Sequence, residues 1–83
     1  MSKARNEHQR IQRLVKRINK AGGDADILYS WAHRRTEYVI REHGEIAYKA
    51  CARIGESWNV EHLRTIRHDM EMIASKADVG KAA

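Results

Sequence analysis

Residues 25–54, ADILYSWAHRRTEYVIREHGEIAYKACARI, decide the fold. On a helical wheel of ~100° per residue, Ile27, Leu28, Trp31, Tyr38 and Val39 share one stripe. Ile46, Ala47, Ala50, Cys51 and Ile54 share another, rotated from the first by roughly 100°. Gly44 sits where the rotation happens. One reading breaks the segment near His43-Gly44-Glu45, giving helices over 25–43 and 45–54. The other keeps one helix of about 30 residues, ~45 Å long, packing against different partners at its two ends. The helix-forming residues that follow Gly44 keep this second reading open.

Working outward, residues 3–21 form the clearest helix. Ile11, Leu14, Val15 and Ile18 recur at helical spacing and make one apolar stripe. Gly22-Gly23 can supply the left-handed backbone that stops a helix, and Asp24 then reads as the N-cap of the next. Downstream, Gly55 ends the central segment and Ser57 or Asn59 starts a last helix over 58–77. There Val60, Leu63, Ile66, Met70, Ile73 and Ala77 form a nearly heptad seam, and 78–83 reads as a frayed tail. The expected fold is therefore all-α: a single domain, 1–83, built as a bundle of three or four helices joined by tight turns.

With 83 residues, no Phe and two Trp, the chain has little with which to fill a core. A domain of this size buries only roughly 60–65% of its unfolded surface, so a homo-oligomer is expected to supplement it. Trp31 and Trp58 read as core pieces, and Tyr48, on the polar side of its segment, as an exposed or oligomer contact. No apolar run approaches the ~20 residues of a membrane span. The opening residues lead straight into charge without the apolar centre of a signal peptide, and a lone Cys51 makes no internal disulfide. A cytoplasmic protein is the expectation.

The net charge is +5, and it is unevenly placed. Residues 1–20 carry seven Lys or Arg against one acid, Glu7. Residues 21–55 are balanced, and 56–83 are slightly acidic. Such an asymmetry bears on partners and not on fold. Opposite the apolar stripe of the first helix lie Arg5, Arg13, Lys16 and Lys20, flanked by Arg10 and Arg17. Arg outnumbers Lys ten to six over the chain, and the guanidinium fork suits phosphate.

Chemistry is absent from the pattern. Cys51 has apolar neighbours and reads as a small buried hydrophobe, and the acids are interleaved with bases as solvated helix pairs, Glu37–Arg41 and Glu45–Lys49 among them. His8, His33, His43, His62 and His68 are never four apart, and no Cys-x-x-Cys occurs, so no metal or other cofactor is expected. Ala47 to Ile66 resembles a helix-turn-helix in outline, through Cys51-Ala52-Arg53-Ile54-Gly55 and the turn to Val60. Aligned on Gly55, however, Val60 and Leu63 fall one residue early, and Glu61, Asp69 and Glu71 oppose entry into a groove.

The expected function is thus a non-enzymatic, regulatory nucleic-acid-binding protein. Arg5, Arg10, Arg13, Lys16, Arg17 and Lys20 would hold the phosphate backbone, with Arg34 and Arg35 widening the patch. The alternative is a helical protein-interaction module, an inhibitor or adaptor of the kind mobile elements encode, docking the same residues on an acidic protein surface. A membrane-surface helix is the weaker rival, because the stripe lacks Trp or Phe anchors.

Overall fold

The computed structural model describes residues 3–53 and 59–82. The element order is α1 (Lys3–Lys20), β1 (Asp24–Ser30), β2 (Arg35–Glu42), β3 (Glu45–Arg53) and α2 (Val60–Ala82). The architecture is α+β, which corrects the all-α expectation: the stretches read as helices over 25–43 and 45–54 are the three strands of one antiparallel sheet, in the order β1-β2-β3.

The strands follow from a period of two that adjacent apolar pairs obscure. Ala25, Ile27 and Tyr29 stand opposite Ile40, Tyr38 and Thr36, which in turn face Tyr48, Ala50 and Ala52. These nine residues line the sheet face turned towards the helices. The other face carries Asp24, Asp26, Arg35, Glu37, Arg41 and Lys49, knitted by ion pairs of Glu37 with Arg35 and Lys49 and of Arg41 with Asp24 and Asp26. Val39 also lies on this outer face, yet it is buried, flanked in register by Asp26 and Lys49.

Gly44 is not a helix kink. His43 and Gly44 both have positive φ, 54° and 82°, and form the two-residue turn between β2 and β3. Paired positive φ values of this kind match the twist of antiparallel strands. Beyond the turn, Ile40 pairs with Tyr48 but Arg41 with Ile46, so Ala47 is the extra residue of a β-bulge.

The α1 terminus forms as expected. Gly23 N–H donates to the Ile18 carbonyl at 2.9 Å and Gly22 N–H to that of Asn19 at 3.1 Å, with Gly22 at φ 95°. This is a Schellman stop. Asn19 then grips the strand that follows: its Oδ1 accepts from Ala25 N–H at 2.7 Å and its Nδ2 donates to Ala25 O at 2.9 Å. Asp24 opens β1 rather than capping a helix. At the other end of the chain, Asn59 Oδ1 accepts from the backbone N–H groups of Glu61 and His62 and caps α2.

Both helices pack on one sheet face and against each other. Ile11, Leu14 and Ile18 of α1 meet Leu63, Ile66, Met70 and Ala74 of α2 over Tyr38, Ile40 and Ala52. The expected seam of α2 therefore exists, but it faces α1 and a sheet rather than a helical bundle. Trp31 corrects a second expectation: it is 83% exposed, in the β1–β2 turn, and not a core piece. Tyr48 is half-buried, its hydroxyl donating to Asp69 Oδ2 at 3.1 Å. Cys51 is half-buried and paired in register with Glu37. Since β3 is a strand, Ala47–Ile66 is not a helix-turn-helix. Gly55, Ser57 and Trp58 lie outside the described residues.

Candidate functional site

Packing of α1 on α2 puts the one acid of α1 inside. Glu7 is 5% exposed at the crossing of the two helices. Arg67 Nε donates to its Oε2 at 2.5 Å, and Arg64 and Arg10 approach its Oε1 at 3.7 and 3.5 Å. Arg67 also donates to Glu71 Oε1 at 2.7 Å, and the two carboxylates together hold its guanidinium above the usual arginine range. A buried charge needs such partners.

The consequence is electrostatic. Lys3, Arg5, Arg10, Arg13, Lys16, Arg17 and Lys20 are all exposed, and Glu7 is not, so every charged side chain that α1 shows to solvent is basic. The six α1 residues expected to bind phosphate are thus brought onto one helix ridge. Arg10, Arg13 and Arg17 border an open groove of about 340 Å³, closed on its far side by Arg67 and Glu71 of α2 and floored by Leu14.

Arg34 and Arg35 lie off α1, at the β1–β2 turn and the start of β2. Arg35 lies on the outer sheet face, its Nη2 2.9 Å from Glu37 Oε1, so its charge is spent on the far side of the sheet. Its Nε is buried without a hydrogen-bond partner. Arg34 is exposed in the β1–β2 turn, held in the left-handed region at φ 46°. Two α2 arginines stand beside α1: Arg67 lines the groove, and both Arg64 and Arg67 are held by carboxylates, Arg64 by Glu7 and Glu61 and Arg67 by Glu7 and Glu71. Their spacing of three beside the Leu63–Ile66–Met70 seam is the sequence signal that places them next to α1.

At the sheet-facing flank of α1, His8 is buried between two tyrosines. Its Nδ1 is 2.7 Å from the Tyr38 hydroxyl and its Nε2 3.3 Å from that of Tyr29. The rings meet at 5.9 and 6.5 Å between centroids, tilted and edge-on. Burial lowers the His8 pKa from its ordinary 6.5 and raises that of Tyr38. This contact also fixes position along the molecule. Tyr29 stands beside the second turn of α1, so the β1–β2 turn, two residues further on, lies towards the N-terminal end of that helix, on its sheet-facing side.

Among the described residues no group of three His, Cys, Asp or Glu side chains is placed to hold a metal ion. No helix among them is long and apolar enough to cross a membrane. No family model matches this chain, and neither a curated protein nor a solved structure does.

Proposed function

We propose that this is a non-enzymatic nucleic-acid-binding protein of regulatory type, holding phosphates along the outward ridge of α1. The observation that carries the reading is the all-basic exposed face of that helix, with its one acid turned inward. At 1.5 Å per residue, Arg5 to Lys20 spans ~22 Å, comparable to about six phosphates of one strand at ~3.4 Å each. Each phosphate neutralised releases counterions, so affinity falls with salt. Self-association and a cytoplasmic setting form part of the same proposal, the first to be read by light scattering.

The test is anisotropy of a labelled random-sequence duplex across a salt series. The expected result is micromolar affinity falling with log salt at a slope of several units. Arg13→Ala with Lys16→Ala is expected to reduce that slope by about two. Absence of binding at low salt to the duplex and to single strands alike defeats the reading. It transfers the weight to a second one, a protein-interaction module acting as an inhibitor or adaptor on an acidic partner. One observation favours that alternative: Glu71 lines the groove, and Glu61 is exposed beside Arg64, so acids interrupt the basic surface at its α2 margin.

A further inference from the structure

The β1–β2 turn carries the most exposed large apolar side chain among the described residues, and nothing in the fold asks for it there. Trp31 is 83% exposed, against 53% for Tyr29 and 38% for Leu28. Removing its indole from water would be favourable, yet the turn holds it out. The turn itself is ordered by a backbone hydrogen bond from Arg34 N–H to the Trp31 carbonyl at 3.4 Å. Arg34, in its left-handed conformation, stands beside Trp31 at the same tip, also exposed. One tip thus presents an aromatic plane and a guanidinium together.

That tip lies towards the N-terminal end of α1, on the sheet-facing side of the helix, because the Tyr29 hydroxyl reaches His8. Phosphate contacts along α1 and a flat aromatic at its end are complementary to a chain with both phosphates and unstacked planar rings. In a duplex the bases are already stacked, and opening a step for a wedge costs a few kcal/mol. In a single strand each base offers a free π-face.

We propose that the protein prefers single-stranded nucleic acid, with an unpaired base stacked on the Trp31 indole and Arg34 beside its phosphate. The proposal rests on the reading of α1 as a phosphate-binding ridge and adds the strandedness of the ligand. Base–aromatic stacking is a sequence-tolerant contact, so no sequence preference follows from it.

The experiment compares three labelled probes at one salt concentration and across a salt series: a 12-nucleotide oligodeoxyuridylate, a 12-nucleotide oligouridylate and a mixed-sequence 12-base-pair duplex. The single strands are expected to bind at least fivefold tighter than the duplex, and whichever is tighter identifies the sugar. Trp31→Ala is expected to weaken single-strand binding about fivefold to a hundredfold, as loss of one stacked base does, and duplex binding less than twofold. The salt slope should stay unchanged. Trp31→Phe keeps most of the affinity but abolishes the part of the tryptophan fluorescence quenching that wild type shows on binding. Because Trp31 is exposed, circular dichroism should report the same fold in both variants. Equal affinity for strand and duplex, or no effect of Trp31→Ala on the strand, overturns this inference while leaving the basic ridge standing. Failure of all three probes at low salt overturns both.

Discussion

His8 shows how a single buried side chain can make the whole fold sensitive to acid. A neutral imidazole has one donor and one acceptor nitrogen, so of Tyr29 and Tyr38 one hydroxyl accepts from it and the other donates to it. Protonation makes both nitrogens donors and places a charge where burial disfavours one. The folded-state pKa therefore lies below the ordinary 6.5. The unfolded chain binds the proton more readily, so the contribution of His8 is complete above pH 6.5 and is lost as pH falls towards the folded value. The urea midpoint of wild type is expected to drop between pH 7.5 and pH 5. His8→Gln, which hydrogen-bonds but does not titrate in this range, is expected to be less stable at pH 7.5 by about 1–2 kcal/mol and to show a shallower pH dependence. An unchanged pH dependence in that variant would remove His8 as its source.

At the scale of elements, the β2–β3 hairpin depends on two residues in the left-handed region. A Cβ at Gly44 would meet no atom within 4 Å, so the penalty there is conformational alone. Gly44→Val is expected to cost about 1–2 kcal/mol, and His43→Asn to stabilise by a few tenths, both read as shifts in thermal midpoint. The same hairpin explains why the helices were legible in the sequence and the strands were not. In α1 a single apolar stripe and a Gly-Gly stop agree with one another, and the α2 seam is equally regular. In β3, Ala47, Lys49, Ala50 and Ala52 are helix formers, and Ile46 is the one β-branched residue. In β2, Val39 sits buried on the outer face directly beside Ile40, so the alternation of Thr36, Tyr38 and Ile40 is masked by an adjacent apolar pair. Such a pair fits a helix stripe as well as it fits a strand. The signal that outweighs it is His43-Gly44, a two-residue turn between two segments of similar length.

For the whole molecule, the charge asymmetry was legible and its geometry only in part. Counting places the excess on the first twenty residues. It does not say that Glu7 turns inward, that Arg35 is consumed by Glu37, or that Arg64 and Arg67 join from 60 residues away; those depend on the helix crossing. Glu7→Gln is expected to reduce stability by about 1–2 kcal/mol. That is less than a fully buried pair would lose, because Arg67 keeps Glu71. The crossing has a kinetic side as well. Every strand pairing in the sheet joins sequence neighbours, and α1 reaches β1 through a short glycine turn, so these parts assemble with little loop closure. Docking α2 on α1 instead joins residues as far apart in sequence as Glu7 and Arg67, 60 positions, and is expected to come late in folding. In a denaturant chevron, Glu7→Gln should therefore accelerate unfolding and leave the folding limb nearly unmoved. The acid whose burial leaves the exposed face of α1 wholly basic would then also act as a latch, setting how long the folded protein persists rather than how fast it forms.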